Sequence, residues 1–437
     1  MEWWLYIVIL FGSTMIVMAT GMPVAFCFML INVVGMYIFL GGMAGLEQFI
    51  LSMYTSVAVF TMLPVPLFIL MGELLFKSGT GMLVINALDG WFGKLRGRLS
   101  LVTVVAGTIL AALTGSSVSS TSMMGSVMIP EMTKQGYKRA MVIGPILAAG
   151  GLAPMIPPSN LAILVGAIGE IEIGKLLIAI IGPGVLMAVL FGLYVIIRCR
   201  IDPSLAPAYE LEPAPFSVKL KNTVLYIMPM GIVIFLVIGV MMLGLATATE
   251  AAATGCFGTF IMAVIYKKMS WKVMKDCVVD TLKISGMILL IISCSRGFAQ
   301  IVTFTGGGNG LTQLAANSTF PAMLGVIAMM LVILVMGCFM SYVAIMMLTL
   351  PIFIPIIRTW GLDPIWFGSI TLINMELAFL TPPFGMNLYV LKGVAPPDYT
   401  MNDIIRGVIP IIGLNLLAIA IIMIFPKIAL WLPSVAR

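Results

Sequence analysis

The stretch LAPMIPPSNLAIL, residues 152–164, sets three prolines and a Ser-Asn pair inside an otherwise oily chain. A proline in a helix interior removes a hydrogen bond and clashes with the carbonyl four residues back. Within hydrocarbon, each freed backbone group is costly unless protein, ion or water meets it. A break at this place therefore needs a reason. A second stretch, LAFLTPPFGMNLYV at residues 377–390, carries the same pattern. Pro157-Pro158 recurs as Pro382-Pro383, 225 positions on, and Pro130 recurs as Pro355 at the same offset, each ending an apolar run. Two extra residues in FGMN relative to SN shift the offset to 227, and Asn160 then matches Asn387 and Pro183 matches Pro410; upstream, Gly79 and Gly306 also differ by 227. An ordered series of this kind marks two copies of one unit, over about 20–200 and 245–430.

Composition says where such a unit lives. The chain has 437 residues, 61% hydrophobic, 9% charged and no histidine. Apolar stretches such as Trp3 to Thr20, Ala25 to Leu40, Leu176 to Ile197, Val224 to Leu243 and Val408 to Phe425 approach the length that crosses a bilayer core. The expected fold is an all-α polytopic membrane protein. Its net charge of +6 does not point to nucleic acid, because Lys and Arg sit in short loops beside apolar spans. The first 19 residues lack a basic region and a cleavage site and read as a retained span. Cys27, Cys199, Cys256, Cys277, Cys294 and Cys338 form no C-x-x-C pair and read as small core residues.

The two copies are expected to be inverted. In the first, a hairpin over about 101–130 carries the polar tip TGSSVSSTS, with Lys94, Arg96 and Arg98 before it and Lys134, Lys138 and Arg139 after it. Both ends favour the cytoplasm, so the segment enters and returns. In the second, the hairpin spans about 321–357 with GCFMS at 337–341, and only Arg358 is basic in its flanks. Broken helices follow at about 140–169 and 365–392. The expected organisation is a first repeat with its N-terminal span over 1–200, a cytoplasmic linker over 201–222 and a second repeat over 223–437. Both termini are expected outside. Stretches 46–60 and 271–285 read as interfacial amphipathic arms, or equally as buried braces. Opposed hairpins, each followed by a proline-broken helix, are the mark of an inverted-repeat secondary transporter.

A helix stopped mid-membrane bares carbonyls on one half and N–H groups on the other. Carbonyls and hydroxyls suit a hard cation, and N–H ends suit a carboxylate. The first tip and first break, with Gly115, Ser116, Ser117, Pro154, Ser159 and Asn160, offer a neutral oxygen cage for sodium; Gly337, Ser341, Thr381, Gly385 and Asn387 are its twin. Serines at such places also serve close helix packing. Candidate contacts to an acid cargo are Ser119, Pro158, Pro383 and Arg296. Arg296 is the only basic residue deep in a span, and a structural salt bridge explains it better than a cargo contact does. Glu73 has Lys77 one turn on, which suggests an i,i+4 pair. Glu250 reads as a helix-start acid, and Glu376 lies about a turn and a half before the second break, close enough to matter.

With no histidine for a proton relay, sodium is the favoured coupling ion. No nucleophile elbow, P-loop or metal-spaced His or Cys is present, so an enzyme is not expected, nor any cofactor beyond the coupling ion. The alternatives are an ion channel, or a proton-coupled anion carrier working without a binding protein.

GMPVAF (21–26), LFILMGELLFKSG (67–79), LTGSSVSSTSMMGSVMIPEM (113–132), APMIPPSN (153–160), ATATEAAATG (246–255) and TPPFGMN (381–387) together resemble the large membrane subunit of tripartite ATP-independent periplasmic (TRAP) transporters. The resemblance runs over nearly the whole chain. It implies a small four-helix membrane subunit and a periplasmic substrate-binding protein as partners, in the inner membrane of a bacterium. It implies sodium-driven import of organic acids, such as C4-dicarboxylates or sialic acids, by an elevator in which residues near 101–170 and 321–395 move against a fixed scaffold. The family's first tip matches Gly115, Ser116 and Ser117, and its first break Pro157, Pro158, Ser159 and Asn160. Its second tip falls on the weak motif Gly337 through Ser341, and its second break on Thr381, Pro382, Pro383, Gly385 and Asn387. Because the first span begins at Trp3, the small subunit is expected as a separate chain.

Overall fold

The structure, a computed structural model, describes residues 2–80, 83, 87, 91, 97–157, 159–207, 215–317, 321–337, 340–382 and 385–436. Lys94, Arg96, Pro158, Cys338 and Pro383 lie outside them. Every described element is helical. Six helices are long and apolar enough to cross a membrane, and a bent pair makes up to seven.

The first copy begins with α1 (Trp3–Ala19) and α2 (Val24–Phe39), then α3 (Met43–Val57) and α4 (Pro64–Lys77). A hairpin follows, α5 (Arg98–Thr114) and α6 (Ser117–Lys134). Its turn rests on Gly115, whose φ of +56° is left-handed and suits glycine. Next, α7 (Arg139–Gly151) passes through a tight turn at Ala153–Met155, and α8 (Asn160–Ile168) departs at 43° to the incoming helix. Then come α9 (Ile173–Ile201) and α10 (Phe216–Met242).

The second copy repeats this order with α11 (Ala248–Ile265), α12 (Trp271–Phe304), α13 (Gly307–Asn317), a hairpin of α14 (Ala322–Gly337) and α15 (Tyr342–Thr359), the broken pair α16 (Pro364–Leu380) and α17 (Met386–Val394), then α18 (Met401–Ile424) and α19 (Lys427–Val435). The 34-residue α12 is about 51 Å long, well beyond the hydrocarbon thickness. The arm expected at 271–285 is therefore no separate element but the opening of this helix. Trp271 at its start is 84% exposed, while Cys277, Thr281 and Ser285 on one face are buried. In the first copy the equivalent length is interrupted between α3 and α4. Pro130 and Pro355 do not end their helices; both lie inside them, several residues short of the C-termini.

Contacts along α18 show that the hairpins enter from opposite faces. At its start, Arg139 Nη1 donates to Asp403 at 2.6 Å, and the Thr133 and Tyr399 hydroxyls are 2.8 Å apart, so the base of the first hairpin lies here. At its end, Trp366 Nε1 donates to the Ile422 carbonyl at 3.0 Å, which places the helix following the second hairpin there. The 24 residues of α18 separate these ends by about 36 Å. The first base gathers Arg98, Lys134, Lys138 and Arg139, and Lys138 N–H donates to Leu205 O at 3.0 Å, bringing the basic end of α9 alongside. The positive-inside bias favours the cytoplasm for a basic face of this kind.

Two helices form the buried axis of this body. Every residue of α7 from Met141 to Gly151 is buried, as is every residue of α16 from Trp366 to Leu380. A helix apolar all round belongs inside a bundle. The breaks expected from the prolines thus end two deeply enclosed helices. By contrast α1, α2, α10 and α11 expose wide apolar faces, as lipid contact requires.

Candidate functional site

Four helices start in mid-structure: α6, α8, α15 and α17. Three begin on a serine whose side chain caps them. Ser116 Oγ accepts from Ser119 N–H at 3.4 Å, Ser159 Oγ from Ala162 N–H at 3.1 Å, and Ser341 Oγ from Ala344 N–H at 3.4 Å. Gly385 holds the same position before α17. The serines are thus explained first as caps that satisfy stranded N–H groups, rather than by close packing. A capping hydroxyl keeps a lone pair for another partner.

The polar centre lies where the first hairpin meets the second break. Ser117 Oγ donates to Glu376 Oε1 at 2.7 Å, and Asn387 Nδ2 donates to Glu376 Oε1 at 2.7 Å and to Ser117 Oγ at 2.6 Å. All three side chains are buried. The expected grouping joined each hairpin to the break of its own copy; these bonds cross the copies instead, because α6 packs between α7 and α17. Among the described residues no Lys or Arg pairs with Glu376. A buried carboxylate with no positive partner costs several kcal/mol, so its place here calls for a counter-charge or a proton.

The surroundings fit a small hard cation. Asn387 Oδ1, Ser120 Oγ and Thr121 Oγ1 are buried and have no hydrogen-bond partner. Gly150 lets α7 approach this cluster: a Cβ there would stand 2.0 Å from Thr121 Oγ1. At the next position, a Cβ on Gly151 would stand 3.3 Å from Glu376 Cγ. The donor set is oxygen throughout, carboxylate, amide and hydroxyl, which is sodium or calcium chemistry and not that of a soft metal. No cluster of three His, Cys, Asp or Glu side chains is present among the described residues.

A cavity of about 400 Å³ adjoins this centre. It draws Gly115, Ser116, Ser117 and Ser119 from the hairpin tip, Pro154 and Asn160 from the first break, and Tyr342 from the second hairpin. Its far wall is the α4–α12 pair. There Lys77 is 3.5 Å from Glu73, as the spacing suggested, but also bonds the Asp280 carboxylate and donates to the Asp276 carbonyl at 2.8 Å. Lys77 ends α4 and Asp280 lies in the lysine-bearing opening of α12, which holds Lys272, Lys275 and Lys283.

The remaining candidates fall elsewhere. Gly337 ends α14 against Ala378, and the Tyr342 and Phe379 rings lie 5.2 Å apart, so the second tip also meets the end of α16. Thr381 Oγ1 donates to the Leu377 carbonyl at 2.7 Å and closes α16. Pro158 and Pro383 lie outside the described residues. Arg296 lines a different cavity, with Glu170 Oε1 at 4.0 Å. Glu250, as expected for a helix-start acid, forms a capping box with Thr247. The side chain that sequence reasoning left out of the site is Glu376; its distance from the second break was the available signal.

Residues 11–428 match the family model described as "Tripartite ATP-independent periplasmic transporter, DctM component". The chain is 29% identical to the C4-dicarboxylate TRAP transporter large permease protein DctM of Pseudomonas aeruginosa, over 86% of each chain. It is 27% identical to the ectoine/5-hydroxyectoine TRAP transporter large permease protein UehC of Ruegeria pomeroyi, over 98% of each. In fold it is similar to MtrF of Neisseria gonorrhoeae, with a TM-score of 0.65 at 14% identity, covering 87% of this chain and 83% of that one. A helical body of two hairpins and two broken helices, matched to one family model from residue 11 to residue 428, makes the chain a member of the DctM family, the large membrane component of TRAP transporters.

Proposed function

We propose that the protein is the transport subunit of a sodium-coupled importer of small organic acids in a bacterial inner membrane. The observation that carries this reading is the buried Glu376 carboxylate, bonded by Ser117 and Asn387 and with no described cationic side chain beside it. Sodium supplies the missing positive charge. Asn387 Oδ1 and Thr121 Oγ1, both without partners, would complete its shell. The first hairpin and second broken helix, already joined by these bonds, would be held more firmly by the ion, which ties the shape of the adjoining cavity to sodium. Ser116, Ser119 and Asn160 line that cavity and offer hydroxyl and amide groups to a carboxylate cargo.

On this reading the side beside Lys77 and Asp280, at the lysine-bearing opening of α12, is the one from which cargo leaves toward the cytoplasm. Here α5–α8 and α14–α17 are the moving body, and α2–α4, α11 and α12 the fixed scaffold. The scaffold's wide apolar faces meet lipid and a separate small membrane subunit, and a periplasmic binding protein delivers the acid. The decisive experiment is uptake into proteoliposomes holding both membrane subunits, with the binding protein outside. Uptake driven by an inward sodium gradient and absent with a proton gradient alone is expected; the opposite result defeats the reading.

A further inference from the structure

A second cavity, of about 670 Å³, lies at the other end of α12. Asp280 marks the first cavity and Arg296 the second; sixteen residues of helix put them about 24 Å apart. One wall is scaffold, α3 and α12, and the other belongs to the moving body, the end of α8 and the second half of α15. Buried Ile291 and Ile292 lie between the two cavities along α12.

The chemistry of this cavity is cationic and unsatisfied. Arg296 Nε is buried without a partner, and so is Gln300 Oε1 one turn on, on the same helical face. A side-chain amide in that position can equally present its N–H groups, since its orientation follows its partners. The nearest carboxylate is Glu170, 4.0 Å from Arg296 Nη2, at the limit of an ion pair, with its side chain 65% exposed. Glu170 is held by its backbone: it follows the cap of α8 with a left-handed φ of 51°, and its carbonyl accepts from Arg358 Nη2 at 3.0 Å. The Glu170 carboxylate is thus only loosely engaged by Arg296, while Arg358 is bonded to the Glu170 main chain. A guanidinium fork is built for two parallel bonds to a carboxylate or sulfonate. The structure supplies it with less than one.

We propose that this cavity is a separate anion-binding vestibule, in which Arg296, helped by Gln300 and Arg358, receives a small organic anion before it reaches the central cavity. It rests on the carrier reading given above. The vestibule stands on the face opposite the basic one, where cargo arrives. The anion competes with Glu170 for Arg296, and because Arg296 is on the scaffold and Glu170 on the moving body, occupancy loosens a contact between them.

The test uses the full chain in nanodiscs with Cys338→Ala and single reporter cysteines, Ala299→Cys in the vestibule and Ile284→Cys in the central cavity; the other native cysteines, Cys27, Cys199, Cys256, Cys277 and Cys294, are buried. Alkylation by a charged maleimide is timed with potassium succinate, acetate or ethanesulfonate, and with neutral succinamide. The anions should slow labelling of Ala299→Cys without sodium, and succinamide should not. Arg296→Gln should abolish that protection, and Arg296→Lys, which keeps charge but not the fork, should weaken it. Sodium-dependent protection at Ile284→Cys in the same variants shows that they fold. Protection of Ala299→Cys that survives Arg296→Gln, or that succinamide gives equally, overturns the vestibule. So does no protection there while Ile284→Cys is still protected, and the carrier reading then stands. Loss of sodium-dependent protection at Ile284→Cys in the parent chain overturns both.

Discussion

Ser117 Oγ donates to Glu376 Oε1 at 2.7 Å, although 259 residues separate them in the chain. The bond joins the tip of one copy's hairpin to the last turn of the other copy's buried helix. Asn387, from the far side of the second break, closes the triangle by donating to both. Each copy alone is therefore chemically incomplete. The first contributes hydroxyls and a close-approaching backbone, and the second contributes the charge.

Glu376→Gln keeps the shape and the acceptor for Ser117 but removes the charge. Hydrogen bonds and contacts to a charged group are worth about 1.5–3 kcal/mol, so the sodium concentration for half-maximal uptake should rise roughly 10- to 100-fold. The same shift should appear in the sodium dependence of thermal stability, a readout independent of transport. An unchanged sodium titration by both measures would remove Glu376 from the ion site.

Ser117→Ala and Asn387→Ala each delete one arm of a shared network, so their effects should not add. A double-mutant cycle on sodium affinity should show a coupling of about 0.5–3 kcal/mol. Simple additivity would mean that the two side chains act on sodium separately, whatever their contact. Asn160→Ala, which changes the cavity wall and not the triangle, should couple to neither.

How much of this the residues disclosed depends on range. The spans were legible because apolar length is a local property: Trp3–Ala19 and Val24–Phe39 fall within a residue or so of the apolar stretches. The breaks were legible because proline acts on its own helix, and the tips because Gly115 and the serines mark a turn and a cap. The pairing of Ser117 with Glu376 was not, since it depends on how two copies pack and no local pattern encodes that. For the same reason Arg296 reads first as one half of a structural salt bridge until its cavity is seen, and 271–285 reads as an arm until α12 is seen to continue through it.

Gly150 tests the packing under the site. Its hypothetical Cβ lies 2.0 Å from Thr121 Oγ1 and 3.2 Å from Thr121 Cβ. Gly150→Ala should therefore destabilise by about 1–3 kcal/mol through overpacking and lower the melting temperature in detergent. Adding Thr121→Ala clears the hydroxyl and should recover part of the loss. A second substitution that deepens the loss would show that the strain is relieved elsewhere.

Glu170 and Arg296 give the most direct test of movement between body and scaffold, because the 4.0 Å contact is between side chains from the two. With Glu170→Cys and Arg296→Cys in one chain, a short bis-methanethiosulfonate should bridge the pair when this face is closed. If α8 slides along α12 during each cycle, bridging must stop uptake, and reduction must restore it to the level of the untreated double variant. That comparison is internal, so any loss caused by removing Arg296 itself cancels. A pair that bridges fully while uptake continues would mean that α8 and α12 stay together throughout, and the sliding mechanism would have to be given up.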